Sequence, residues 1–369
     1  MMKGRTIFAG AALAAVVVAS GVAYAAVTSL HSADATSNAA SNAAVDLSDF
    51  TANPAGSVFL EADLSGRGEM LKSGQNMGDP NGSAMVVLRI TRNRIMYEIT
   101  WQSMTPPTAM RLQLGSSGST GPLQLNLMPT AMPGNVTAIA GVINSGGNGL
   151  LNQLLGNPSR FNANFTTPRF PGGAVRGQFR QIGPFDFNRI LHVGQLVSVD
   201  SGDQVVTSAG DPNAHATVFV GANATTLNYA AIWTGVTSPT ALNVNNGAIG
   251  AVGNLVARLF AAPRGLNPTI IAVAGMVPNV SAKMIAAMKA NPSAFHTSLV
   301  TGKFPGGAAR GQLFVPGANM PTTMPTTTMT KPTTPTMKPP TSMTMPPTTP
   351  MNPPTMMPTS PQTQAPPHW

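Results

Sequence analysis

The chain has 369 residues, 43% of them hydrophobic, which is enough for packed cores in two ordinary domains. It contains no cysteine, so a disulfide framework and thiolate chemistry are excluded. Charged residues make up only 9% of the chain, with a net charge of +9, and this balance points to anionic neighbours such as acidic glycans, wall polymers or lipid headgroups. The arginines are scattered, without a dense Lys/Arg run interleaved with aromatics, so nucleic acid is not an expected partner.

Residues 1–25 place Lys3 and Arg5 before a short Ala-rich apolar run and a small-residue site at Ala23-Tyr24-Ala25, the layout of a cleaved secretory signal. Its removal takes two positive charges and leaves +7. An uncleaved anchor is the competing reading, but the apolar run is shorter than the ~20 strongly apolar residues of a span. No second apolar span and no hydrophobic C-terminal tail follow, so no stable membrane insertion is expected after cleavage. Residues 26–54, rich in Ala, Ser, Asn and Thr, read as a flexible lead-in.

The middle of the chain is written twice. "NPSRFNANFTTPRFPGGAVRGQF" (157–179) lies over "NPSAFHTSLVTGKFPGGAARGQL" (291–313) at a shift of 134 residues. Upstream, the "GDPN" of 78–81 recurs at 210–213, and Tyr97 and Trp101 recur as Tyr229 and Trp233, at a shift of 132. A two-residue insertion near 260–270 accounts for the difference, so 55–182 and 187–315 are two copies of one domain.

Short β-rich runs near 56–64, 83–91, 94–102, 109–114, 122–128, 136–142, 160–166 and 173–181 are separated by Gly, Pro, Asn and Asp turns, the spacing of a sandwich or barrel. Ile95, Tyr97, Ile99 and Trp101 alternate with more polar neighbours, which predicts a half-buried strand with its aromatics on one face. Each copy carries one short helix. Ser281 is placed to cap "AKMIAAMKA", with Met284, Ile285 and Met288 on one face, and the counterpart in the first copy carries Leu150, Leu151 and Leu154. Residues 316–369 shift to Pro, Thr and Met and read as a disordered, semi-stiff stalk of polyproline character.

A short helix, an aromatic-led strand, a turn, and Pro-x-Gly-x-x-Arg-Gly-Gln in the closing strand resemble the end of the CHRD domain, the chordin-like repeat. Both copies fit the resemblance over most of their length. It implies an extracellular fold of two tandem immunoglobulin-like Greek-key β-sandwich domains and no established enzymatic activity. The His-x-His pair usual in that family falls here on Arg111 and Gln113, and on Asn243 and Asn245. The family's His-Thr falls on Thr166-Thr167 and Val300-Thr301, and its glutamate on Ala174 and Ala308. A metal or acid-base role for those family positions is therefore not expected in this chain.

The inventory of reactive groups agrees. No aspartate or glutamate follows Asp211, and the first copy has no histidine, so no Ser-His-Asp constellation can form within it. The histidines are His31, His192, His215, His296 and His368; His192, His215 and His296 share the second copy but have no ligand spacing. The tail methionines Met320, Met324, Met343 and Met345 offer thioethers suited to Cu(I), although compositional bias also explains them. The glycine pairs 172–173 and 306–307 lack a following GK[ST], and are read as tight entries into a strand.

The motif residues are Arg176 and Gln178 with Asp79, and Arg310 and Gln312 with Asp211. Two readings stand side by side: a bidentate Arg176–Asp79 and Arg310–Asp211 pairing that closes each sandwich, or aspartates that only bond their own Asp-Pro-Asn turns. Sequons at Asn81, Asn135, Asn164, Asn223 and Asn279 are possible N-glycosylation sites. The expectation is a secreted, non-enzymatic protein without catalytic, metal or cofactor residues. It would act at the cell surface or wall as a binding or adhesion module for an extracellular protein or an anionic polysaccharide. The alternatives are a matrix or coat constituent without a discrete ligand, and a metal-dependent oxidoreductase on a superoxide-dismutase-like sandwich.

Overall fold

The computed structural model describes residues 54–316 apart from 70–77, 93, 117–118, 120, 145–147, 192–193 and 207–209. The expected signal, the lead-in as far as residue 53, and the stalk beyond residue 316 lie outside the described residues, as do His31, His192 and His368.

The first repeat forms β1 (Val58–Ser65), β2 (Ser83–Thr91), β3 (Arg94–Gln102), β4 (Ala109–Leu114), β5 (Leu123–Met128), β6 (Val136–Asn144), α1 (Asn148–Gly156), β7 (Phe161–Thr166) and β8 (Val175–Ile182). The second forms β9 (Leu196–Ser201), β10 (His215–Asn223), β11 (Thr226–Thr234), β12 (Ala241–Asn246), β13 (Leu255–Ala261), β14 (Ile270–Val277), α2 (Ala282–Ala290), β15 (Phe295–Val300) and β16 (Ala309–Gln312). The all-β expectation with one short helix per copy holds. Helix α2 buries Ile285 and Met288, but Ser281 caps it only through its backbone carbonyl, which accepts from Ile285 N at 3.0 Å.

Both repeats use one antiparallel strand order, β5-β4-β7-β8-β1-β2-β3-β6 and its counterpart β13-β12-β15-β16-β9-β10-β11-β14. The chain leaves the β1-β2-β3 meander, makes the β4–β5 hairpin at the far end, and returns to set β6 beside β3, a Greek-key path. Four strand spacings separate β3 from β7, roughly 19 Å on a flat sheet. Yet the rings of Trp101 and Phe165 stand 6.3 Å apart, so the sheet curls over onto its own core. In the second repeat Trp233, the counterpart of Trp101, stands 6.4 Å from Phe260 of β13, six spacings away in the ladder.

The two repeats join edge to edge. β6 pairs antiparallel with its own counterpart β14, from Ile270 opposite Gly141 to Gly275 opposite Val136, so one sixteen-stranded sheet runs through both copies. The seam is pseudo-symmetric. Tyr97 Oη lies 2.9 Å from Thr269 Oγ1, and its counterpart Tyr229 donates to the Asn135 carbonyl at 3.4 Å. Gly141 and Gly275 make this possible, because a Cβ at either would overlap a tyrosine hydroxyl and the carbonyl of Thr269 or Asn135.

A second apolar cluster covers the outer face of the seam. The inter-repeat segment forms a 3-10 turn, Phe187–Leu191, whose Phe187, Ile190 and Leu191 are buried against Val87, Met96, Ala138 and Ala140 of one repeat and Ala230, Ile232, Ala272 and Ala274 of the other. The alanines leave a shallow bed for the linker side chains. Strand β3 was expected to be half-buried, and the linker is why it differs: Met96 and Glu98, on the face opposite Tyr97, are buried as well.

Candidate functional site

The Arg-Gly-Gln motif sits where β8 passes from β7 to β1. In the β1–β8 ladder the pairing runs from Phe59 opposite Ile182 to Ala62 opposite Phe179, breaks, and resumes with Ser65 opposite Arg176. In the second repeat β16 meets β9 through the single pair Arg310 and Ser201. At this crossing the central glycine is obligatory. A Cβ on Gly177 would overlap the Asp63 carbonyl, and one on Gly311 would overlap the Val199 carbonyl and the Asp200 carboxylate.

Arginine and glutamine lie two apart on the strand and so share its other face, where they bind loop backbone. Gln178 Nε2 donates to Gly115 O at 2.9 Å and Ser159 O at 2.7 Å, and Gln312 Nε2 donates to Gly247 O at 3.0 Å, Ser293 O at 2.7 Å and Phe295 O at 3.2 Å. Arg176 Nη2 donates to the Ser119 carbonyl, and Arg310 Nη2 to Ala248 O at 3.1 Å and Ala251 O at 2.7 Å. The motif is a clamp on the β4–β5 hairpin loop and its β12–β13 counterpart. In both repeats the other guanidinium nitrogen, Nη1, is buried without a protein partner.

The Arg–Asp pairing gives way to the turn reading. Asp79 Oδ1 accepts from Asn81 N at 3.1 Å and Gly82 N at 3.2 Å, and Asp211 Oδ1 accepts from Asn213 N at 3.1 Å. A side chain bonding the backbone two residues on is the ordinary use of aspartate in a turn, and it leaves the arginines to the carbonyls.

The carboxylates that do face the arginines occupy different places in the two copies. In the first, Glu69 accepts from Asn164 Nδ2 at 3.0 and 3.1 Å; burial pushes its carboxyl up to about 7 against the pull of Arg176. Its carboxylate fills the space beside Gly173, whose φ of +152° and lack of a Cβ both suit the glycine pair. In the second, Asp200 is fully buried and accepts from Thr297 Oγ1 at 2.7 and 2.8 Å, and burial raises it to about 7 despite Thr297, Ser198 and Arg310. Position 200 corresponds to Leu64 of the first repeat, as the partners Ala216 and Ala84 show. The signal in the sequence was an acid on the inward register of a strand that otherwise carries Leu196 and Ser198 on that face.

His296 is 2% exposed and holds the same loop. Nε2 accepts from Asn245 Nδ2 at 3.3 Å, while Nδ1 lies 3.2 Å from both Gly247 O and Arg310 Nη2. Burial and the adjacent Arg310 hold its pKa down to about 4. Among the described residues no group of three or more His, Cys, Asp or Glu side chains could hold a metal ion. No helix there is long and apolar enough to cross a membrane.

Asn164 is 3% exposed and its amide donates to Glu69, so this sequon is not accessible in the folded chain. Asn135 is half-buried, with its amide donating to the carbonyls of Arg258 and Leu259. Asn81, Asn223 and Asn279 are exposed.

The comparison with protein-family models decides the family: the CHRD domain matches at residues 60–179 and 196–313, more than half of the chain. The chain belongs to the CHRD family. The two matches fall on the two halves of the shared sheet, and each ends on its motif at the β8 or β16 clamp. Comparisons with curated proteins and with solved structures return no match. As a CHRD protein it carries an extracellular-type domain in two copies.

Proposed function

We propose that this CHRD protein is a secreted, non-enzymatic binding module of the cell surface or wall, recognising an anionic polymer. The observation that carries this reading is the fate of the motif. Its arginine and glutamine are committed to loop carbonyls, its glycine to a strand crossing, and its neighbouring acids to buried hydrogen bonds, so the polar interior serves the fold. What remains for partners is the rigid exterior of a basic chain, and a positive surface favours negatively charged polymers at a distance and in contact. The stalk would space this body from its point of attachment.

Co-sedimentation of the mature chain with purified acidic surface polysaccharide, in rising salt, tests the reading. Saturable retention that weakens as salt screens the contact is expected. Retention that is absent at low salt would refute it, as would stoichiometric copper, zinc or iron bound to the purified protein together with turnover of a redox substrate.

A further inference from the structure

The second repeat differs from the first by an insertion, and the insertion builds a wall. Met132 N donates to Pro107 O at 3.0 Å, and its counterpart Leu266 N donates to Pro239 O at 3.0 Å, which aligns the two loops. Between β5 and Met132 the first repeat runs Pro129-Thr130-Ala131; between the aligned Phe260 and Leu266 the second has two more residues. They make a β-turn, Ala262-Pro263-Arg264-Gly265, closed by Gly265 N donating to Ala262 O at 2.7 Å. Proline at the second position and glycine at the fourth are what such a turn favours. Gly265, with φ of +79°, packs against Ser238, itself held at φ of +51°, so the turn is braced and lifts Arg264 into solvent.

Arg264 borders a cleft of about 440 Å³, within the range of small-ligand sites of about 300–1,000 Å³. Lys303 also lines it, its ammonium 5.0 Å from the Phe304 ring centre. The remaining polar residues around it include Thr237, Ser238, Thr301, whose hydroxyl accepts from Phe304 N at 3.1 Å, and Asp211, whose Oδ1 accepts from Asn213 N. Two cations against one carboxylate select an anion, while hydroxyls together with a carboxylate acceptor suit a ligand that carries many hydroxyls of its own. Pro263 and the Phe304 ring add an apolar wall, the kind of surface on which the C–H face of a sugar ring can rest.

We propose that this cleft binds one acidic sugar unit, its carboxylate or sulfate paired with Arg264 and Lys303 and its hydroxyls bonded to the threonine, serine and aspartate lining. The proposal deepens the reading above and rests on it. The first repeat lacks the inserted turn, has Pro106 and Pro168 where the second has Ser238 and Gly302, and keeps only Arg169 as the counterpart of Lys303. Among the described residues the two repeats therefore offer one such site and not two.

Calorimetric titration of the full mature chain with tetragalacturonate, its methyl ester and a sulfated tetrasaccharide tests this. One site per chain is expected, with the neutral ester failing to bind and the uronate and sulfated arms showing which anion is preferred. Arg264→Gln and Lys303→Gln should each weaken binding at least about tenfold, the loss of one charge-assisted bond. Arg169→Gln should leave it unchanged. Two equivalent sites, equal binding of the ester, no binding of either anion, or an undiminished Arg264→Gln variant would overturn the site. If those failures occur while the chain still sediments saturably with surface polysaccharide, the site is wrong and the proposed function stands; if sedimentation fails too, both fall.

Discussion

Gly311 shows how a single missing side chain can decide a fold. The β9 backbone and the Asp200 carboxylate occupy the volume that a methyl group would need, and the obstruction is main chain that cannot swing aside. Gly311→Ala should therefore cost about 3 kcal/mol, the upper part of the usual range for overpacking, read as a lowered midpoint in chemical denaturation. Gly302→Ala, where nothing lies within 4 Å of the added carbon, should be nearly silent. The glycine pairs 172–173 and 306–307 were legible in the sequence as strand entries and the arginine as a residue that closes the sandwich, whereas the roles of Gly177, Gly311 and the glutamines were not. The anchoring partners were not legible. Loop carbonyls carry no sequence signature, and Glu69 and Asp200 occupy non-equivalent places, so comparing the copies drew attention to Asp79 and Asp211, the acids that do repeat.

At the scale of elements, the eight strands of each repeat were readable because turn residues punctuate them at short intervals and their apolar residues alternate. The joining of β6 to β14 was not, since an edge strand and a paired strand can carry the same apolar pattern. Its trace is the pair Gly141 and Gly275, each the site at which a tyrosine hydroxyl from the neighbouring strand approaches the seam backbone. Gly141→Ala should force the Tyr97 hydroxyl and the Thr269 carbonyl away. The expected outcome is faster hydrogen exchange at the β14 amides, with exchange in β9 and β10 unchanged. Uniform protection in both regions would mean that the seam does not depend on that contact.

Across the whole molecule, a shared sheet and a linker buried on both repeats couple the copies, so the described body should unfold in one cooperative transition. Two well-separated transitions would contradict that coupling. Its pH dependence follows from the buried acids. Folding holds Glu69 and Asp200 at about 7 and Glu98, buried beneath the linker, at about 8, all above the ordinary carboxyl values of 4.5 and 3.8. The folded state then binds more protons than the unfolded one, and stability falls as pH rises from about 5 through 8. His296 works in the opposite direction: its folded value of about 4 lies below the ordinary 6.5, so its contribution is lost as pH falls through that interval. With three groups against one, the melting temperature should be higher near about pH 5.5 than near about pH 8.5, and Glu98→Gln should shrink the difference. A flat or rising profile would contradict the burial of these carboxyls.

The motif serves the fold and the proposed partner meets the exterior, and one paired measurement separates these roles. Gln312 clamps the loop beside the Phe295 end of β15, whereas the proposed cleft lies beyond the Val300 end of the same strand. Thermal unfolding and polysaccharide retention of Gln178→Ala/Gln312→Ala should be recorded together, well below the melting temperature. The prediction is a lowered melting temperature, from the loss of roughly 1–3 kcal/mol at each site, with retention equal to that of the parent chain. Retention abolished at an unchanged melting temperature would contradict it, and would make the motif the binding site.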